Sequence, residues 1–291
     1  MDNKSLVVGI GELLWDVFPE GKKLGGAPVN FAYHVSQFGF NTIAVSALGV
    51  DELGDEIVEL LRDKKVKTLI NRVGFPTGTV QVHVDDKGIP SYEIKKNVAW
   101  DNIPWCEELQ KIAVNTKAVC FGSLAQRSEV SRNSINSFLD AMPDADTYKI
   151  FDINLRQDFY DKETIENSLK KCNVLKMNDE ELVVVARMFG YTSQDIEENC
   201  RKLLNDFNLK MLILTCGTEG SYVFSNDETS FLETPKVIVV DTVGAGDSFT
   251  AAFCASILGG KSISVSHQKA VELSAFVCTQ NGAMPDLPIH A

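Results

Sequence analysis

Short apolar runs rich in β-branched residues recur at 6–10, 42–48, 118–121, 149–151, 174–176, 211–214 and 237–240. Stretches with apolar positions three and four apart fall between them, at roughly 29–37, 53–62, 131–141, 179–188, 196–207, 247–258 and 265–278. A run that is apolar at every position suits a strand buried on both faces, and strands alternating with amphipathic helices fold as layers. The pattern therefore predicts an α/β protein with a mainly parallel central sheet and helices on both faces. No internal repeat or low-complexity tract interrupts it, and 291 residues suffice for one large domain, 1–291, with a small appendage.

The segment 78–94 breaks the pattern. Thr79, Gln81 and His83 alternate with Val80, Val82 and Val84 before Asp85-Asp86-Lys87-Gly88 turns the chain into 91–94. Period-two alternation followed by a Gly-containing turn is a hairpin with one polar face. Such a hairpin serves as an edge ribbon, an oligomer contact or a lid over a site.

Composition narrows the chemistry. A formal net charge of -12 and no basic cluster work against nucleic acid, whose phosphates are bound by grouped Lys and Arg. An anionic ligand would have to be held by local devices such as helix N-termini or one placed Arg. The seven cysteines are scattered with no C-x-x-C pair, so they read as small core residues in a reducing cytoplasm, not as a disulfide framework or a zinc site. Four histidines lack H-x-x-x-H spacing and read as structural. Residues 1–15 hold one Lys and a short apolar run, too little for a signal or membrane segment, so a cytoplasmic location is expected.

Two glycine clusters carry the candidate chemistry. In Asp241-Thr-Val-Gly-Ala-Gly-Asp247, predicted to join a strand at 236–240 to a helix, Gly244 and Gly246 leave backbone N–H groups open to a phosphate at the helix start. A carboxylate there repels phosphate, so Asp247 is explained either as the base that takes a proton from an attacking hydroxyl or as the N-cap of the helix. In Gly25-Gly26-Ala27-Pro28-Val29-Asn30, with Asp16 upstream, the glycines make a flexible turn while Asp16 and Asn30 suit sugar hydroxyls, or form an ordinary loop and cap. Gly260-Lys261-Ser262 lacks the first glycine of a P-loop, and Gly244-x-Gly246-x-x-Phe249 lacks the third glycine of a dinucleotide fingerprint. Neither a P-loop NTPase nor a Rossmann dehydrogenase is supported.

Together these segments resemble the two signature regions of the PfkB (ribokinase-like) carbohydrate kinase family. Asp152-Ile153-Asn154-Leu155-Arg156 is similar to the family's Asp-Pro-Asn-x-Arg, with Ile153 in the place of Pro, and Asn178-Asp179-Glu180-Glu181 to its Asn-x-x-Glu. Thr215-Cys216-Gly217-Thr218-Glu219-Gly220 resembles its nucleotide-side loop. The resemblance implies ATP-dependent phosphorylation of a sugar hydroxyl, with Asp247 as base and Gly244, Ala245 and Gly246 as the anion hole. It implies sugar contacts from Asp16, Gly26, Asn30, Asp101 and Asp247, and Arg156 near the transferring phosphate. Asn178 and Glu181 would organise Mg²⁺, through water, while Thr215, Gly217, Gly220, Asn281 and Gly282 would face the nucleotide. Family members often bind K⁺ through backbone oxygens at the positions of Asp241 and Val243. The family's β lid, here drawn mainly from 12–30 and 76–100, favours the lid reading of the hairpin and offers a homodimer contact.

Within the family, Gly11-Glu12-Leu13-Leu14-Trp15-Asp16 and Pro76-Thr77-Gly78 look most like bacterial fructokinases, which make fructose 6-phosphate. The aromatic-Arg pair common there is replaced by Ile94-Lys95-Lys96, although Asp101 remains, and Trp100 is free to stack on a sugar or to pack. Ribose, 2-keto-3-deoxygluconate and tagatose 6-phosphate stay open as substrates. A non-catalytic sugar or nucleotide sensor of the same fold is the rival class.

Overall fold

A computed structural model describes residues 5–19, 21–84 and 90–288; the expected turn at 85–88 lies outside the described residues. The main sheet has nine strands in the order β13-β12-β11-β10-β9-β8-β1-β4-β5. They are β1 (Leu6–Ile10), β4 (Asn41–Gly49), β5 (Thr68–Val73), β8 (Thr116–Phe121), β9 (Tyr148–Asp152), β10 (Val174–Asn178), β11 (Met211–Thr215), β12 (Ser221–Ser225) and β13 (Thr229–Leu232). All neighbouring pairs are parallel except β11 with β12 and β12 with β13.

Strand pleating explains the doubly apolar runs. Val8 and Ile10 of β1, with Val119 and Phe121 of β8, enter the core shared with α4 (Glu129–Ala141), α5 (Lys162–Lys171), α6 (Asp179–Met188) and α7 (Ile196–Asp206). Val7, Ala118 and Cys120 point the other way, into the core of α1 (Ala27–Gln37), α8 (Ala245–Leu258) and α9 (Ile263–Cys278). Each fully buried Phe or Leu in these layers, such as Phe138 and Leu169, contributes on the order of 1.5–3 kcal/mol. The helices α2 (Glu52–Asp63) and α3 (Glu107–Ala113) complete the cover.

A second sheet, ordered β3-β2-β6-β7, stands apart from the first. It joins β2 (Leu14–Phe18), β3 (Gly21–Gly25), β6 (Gly78–Val84) and β7 (Pro90–Ile94). The expected hairpin is the antiparallel β6–β7 pair, and β2 adds to it in parallel with Leu14 opposite Gly78. The sheet is narrower than the expected 12–30 and 76–100: residues from Ala27 onward form α1, and Trp100 is fully buried in the main core.

Two expectations are corrected. The run 237–240 is not a buried strand: it joins no ladder, and Ile238 is 87% and Val239 59% exposed. Its last amide, that of Val240, bonds instead to the Cys278 carbonyl at 2.8 Å. The following helix begins at Ala245 and not Asp247, with Gly244 as its N-cap in the left-handed region (φ 79). Asp247 is thus the third residue of α8, and its N-cap reading is removed.

Candidate active site

Side-chain caps close the starts of α2, α5, α6, α7 and α9, from Asp51, Asp161, Asn178, Asp195 and Ser262. The helices α1 and α8 begin instead at Gly26 and Gly244, with no side chain on the first amides. Each glycine is required. A Cβ on Gly26 (φ 131) would lie 2.5 Å from the Glu12 carbonyl oxygen, and one on Gly244 would lie 2.7 Å from Ala283 Cα. The Gly26 turn lies against Glu12, just past the carboxyl end of β1, and Gly246 lies against Lys176 of β10; the carboxyl edge of an open α/β sheet is where ligands usually bind.

Asp247 and Asn30 meet there, with Asn30 Nδ2 donating to Asp247 Oδ2 at 2.8 Å. Burial and the neighbouring Asp152 push the Asp247 carboxyl up to about 6, while Asn30, Lys176 and Arg156 pull the other way. A carboxyl poised near neutrality suits a general base. Asp16 on β2 is half-buried, and burial raises it to about 6 against the pull of Arg156 and Lys23. Arg156 itself is exposed, follows the left-handed Asn154 (φ 47), and donates from Nη1 to the Leu155 carbonyl. The residues Asp247, Asn30, Asp16, Gly26 and Arg156, dispersed in sequence, therefore share one electrostatic neighbourhood.

On the other side of Asp247 the site is backbone. Ala245 N–H closes a turn onto the Thr242 carbonyl, whereas the amides of Gly246 and Asp247 have no hydrogen-bond partner among the described residues. The free N–H groups at the start of α8 are therefore those of Gly246 and Asp247, one residue further along than Gly244-Ala245-Gly246. Asp241 braces the turn, accepting from Val243 N–H at 3.0 Å, Gly282 N–H at 3.2 Å and the Lys23 ammonium at 3.1 Å. These bonds place the Asp241–Val243 backbone and the 281–282 bend side by side. Thr215 ends β11, and Gly217 (φ 52) and Gly220 (φ 134) shape the short helical turn that follows it.

Asn178 and Glu181 form a capping box: Asn178 Oδ1 accepts from Glu181 N–H, while the two Glu181 oxygens accept from Asn178 N–H and Leu155 N–H at 2.9 Å. Glu181 thereby ties the 153–156 loop to α6. Among the described residues no cluster of three or more His, Cys, Asp or Glu could hold a metal. The donor set accordingly fits Mg²⁺ only as an ion that keeps most of its water shell.

Asp101 has a different set of partners. It is 4% exposed, and its two oxygens take Arg127 Nε at 2.8 Å and Nη2 at 2.9 Å, with Val98 N–H on one of them. The Arg127 guanidinium lies over Trp100, 4.0 Å from the ring centroid, and over Phe159. Trp100 therefore packs, and a guanidinium absent from the local sequence arrives from residue 127.

Besides Arg127, two residues went unread in the sequence. Lys176, in the buried strand β10, sends its ammonium to Asp152 Oδ1 at 2.9 Å, and a Cβ on Gly246 would be 3.0 Å from it. Nearby Asp152, Glu181 and Asp247 hold this buried ammonium charged, raising its pKa against the desolvation that lowers it. A Lys inside an apolar strand run was the available signal. Glu12 is 3% exposed and is raised to about 7 by burial, with the Asp247 charge adding to the rise.

The pfkB family carbohydrate kinase pattern matches residues 11–290. The chain is 28% identical to an ATP-dependent 6-phosphofructokinase of Thermoanaerobacterium thermosaccharolyticum, over 99% of this chain and 92% of that one. It is 29% identical to a probable fructokinase-2 of Arabidopsis thaliana, over 99% of this chain and 94% of the other. In fold it is similar to the Vibrio cholerae O395 fructokinase in its fructose, ADP and calcium ion bound form, with a TM-score of 0.82, 24% identity, and 99% and 97% of the two chains covered.

Proposed function

The chain belongs to the pfkB family of carbohydrate kinases, and we propose that it transfers the γ-phosphoryl group of ATP to a hydroxyl of D-fructose, giving fructose 6-phosphate. The observation that carries the reading is the pairing of a near-neutral carboxyl, Asp247 held by Asn30, with free amides in the same helical turn. Asp247 takes the proton of the attacking hydroxyl as the bond to phosphorus forms. The amides of Gly246 and Asp247 receive the charge that spreads over the migrating group, and the exposed Arg156 closes on it from the facing loop. Mg²⁺ neutralises phosphate charge when bound, with Asn178 and Glu181 meeting it through water. The backbone oxygens of Asp241 and Val243 are the candidate ligands for K⁺. The names of the fructokinase relatives support fructose as the acceptor.

A second reading follows from the relative named 6-phosphofructokinase and takes fructose 6-phosphate as the acceptor. The exposed Lys96, 5.0 Å from the Phe159 ring, and Arg156, whose carbonyl accepts from Phe159 N–H, are the cations that would receive its phosphate. The β2-β3-β6-β7 sheet serves in this proposal as a lid and as the contact of a homodimer. No helix among the described residues is long and apolar enough to cross a membrane, and unpaired cysteines suit a reducing cytoplasm.

A coupled ADP-release assay over fructose, fructose 6-phosphate, ribose, 2-keto-3-deoxygluconate and tagatose 6-phosphate tests the reading. Fructose-dependent ADP release is expected. Release with another member of the panel would replace the substrate and keep the kinase, whereas nucleotide and sugar binding without turnover would favour a sensor.

A further inference from the structure

Glu12 follows β1 and lies beneath the Gly25–Gly26 turn, so close that a Cβ on Gly26 would stand 2.5 Å from its carbonyl oxygen. Its carboxyl draws on backbone amides, its own and that of Ala27, yet Oε2 has no hydrogen-bond partner. Among the described residues, the buried side-chain oxygens without a partner are Glu12 Oε2, Asn30 Oδ1 and Ser266 Oγ. Two of the three therefore belong to the start of α1: Asn30 donates to Asp247, and Glu12 lies under Gly26, whose carbonyl accepts from Asn30 N–H at 3.1 Å. A buried polar atom left unpaired destabilises the fold unless a ligand or water satisfies it, so two of them at one helix start point to a ligand that brings hydroxyls.

The charged groups acting on Glu12 are Asp247 from α8 and Arg156 from the loop after β9. Two ionised carboxylates in that space repel. Asp247 is partly accessible and has Asn30, Lys176 and Arg156 to hold its charge, whereas Glu12 is enclosed, so Glu12 keeps its proton to higher pH than Asp247.

We propose that Glu12 is a substrate-positioning residue whose carboxyl, protonated while Asp247 is ionised, uses Oε2 to hold a hydroxyl of the bound sugar beside the reacting one. The inference rests on the sugar-kinase reading. A protonated carboxyl both donates and accepts, which a hydroxyl can answer in either sense. Once ionised, it places a second negative charge next to Asp247 and near the transferring phosphate.

The test compares wild type, Glu12→Gln and Glu12→Ala by calorimetric titration with fructose in the absence of nucleotide, and by steady-state kinetics from about pH 5.5 to 9. In Glu12→Ala the sugar KM and Kd should rise about tenfold or more, the ATP KM staying put, since one buried hydrogen bond is lost. Wild-type sugar affinity should decline as pH rises through about 7, where Glu12 gives up its proton. Glu12→Gln should bind sugar more weakly than wild type at low pH but better than the Ala variant, and its affinity should no longer decline with pH. A folded Glu12→Ala with wild-type sugar affinity overturns the inference, as does an alkaline decline that survives in Glu12→Gln, a variant that keeps shape where the Ala variant fails to fold. If wild type neither binds nor phosphorylates any sugar of the panel, the kinase reading itself falls and takes this inference with it.

Discussion

The two sides of Asp247 are made of different material. On the side proposed to face the sugar are side chains, Asn30, Asp16, Glu12 and the proposed base itself, whose carboxyls burial raises to about 6 to 7. On the side proposed to face the phosphate is backbone: the left-handed Gly244 and the unpartnered amides of Gly246 and Asp247. The division matches the chemistry each side has to perform. A proton must be received at one atom, which demands a titratable group held at one place, whereas charge on a phosphoryl group is spread over several oxygens and is met by fixed dipoles that need not titrate.

The largest effect should come from the side-chain half. Asp247→Asn keeps the shape and the contact with Asn30 but removes the basic oxygen, so kcat is expected to fall on the order of 10² to 10⁴. In wild type the acid limb of kcat/KM should turn near pH 6, because the base works only when deprotonated and its fraction in that form shrinks as pH falls through about 6. Steady-state kinetics with a nucleotide titration checks both. A variant with near-wild-type kcat would transfer the base role away from Asp247 and dissolve the contrast.

Asp101 tests whether the acceptor half extends to the root of the lid. With both oxygens on Arg127, Asp101→Asn would strand a buried guanidinium and should cost about 3–5 kcal/mol of stability. The sugar KM of whatever remains folded should change little. A stable variant with a raised sugar KM would make Asp101 a substrate contact after all.

Why some of this was legible in the sequence and some was not follows from the same division. Helices and parallel strands were readable because their apolar periodicity is local, and 179–188 is reproduced to the residue as α6. The strands β2 and β3 entered only with the lid that the family resemblance implied at 12–30, because a short, half-exposed ribbon such as Gly21–Gly25 carries little apolar signal of its own. The run 237–240 misled for the opposite reason: β-branched residues report a preference for extended backbone, and only the rest of the sheet decides whether a partner strand exists. Asp247 and Asn30 were found through glycine turns adjacent in sequence. Glu12, Lys176 and Arg127 escaped because their meaning depends on neighbours that are distant along the chain, such as Asp247, Asp152 and Asp101.

The backbone half breaks differently. Gly244→Ala forces a Cβ into a left-handed residue 2.7 Å from Ala283, so a loss of about 1–3 kcal/mol and a raised ATP KM are expected, with sugar affinity in the absence of nucleotide retained. Equal losses for sugar and ATP would show that the two halves are one mechanical unit. Arg156→Lys keeps the charge and loses the planar fork, and activity at subsaturating ATP and sugar should fall about tenfold. Wild-type rates in that variant would remove Arg156 from the phosphate side.

The smallest expected effect is thermodynamic and isolates what the buried base costs the fold. Folding raises the Asp247 carboxyl from 3.8 to about 6, chiefly by burial, so between those values the folded chain holds a proton that the unfolded chain has released. Stability then declines as pH rises through this window, and the penalty is fully present above it. Asp247→Asn never carries the charge and escapes the penalty. A rise of that size corresponds to about 3 kcal/mol, which partial access to solvent reduces to on the order of 1–2 kcal/mol. The buried His34 and His267, each lowered to about 4 by burial, destabilise the fold as pH falls from 6.5 toward that value, but they do so equally in both proteins and cancel from the difference. Thermal melts should therefore place the Asn variant roughly 2–4 °C above wild type at about pH 8 and level with it near pH 4. A variant that melts below wild type at the higher pH would mean that the Asn30 hydrogen bond to an ionised Asp247 outweighs desolvation, and the acceptor side would be a source of stability.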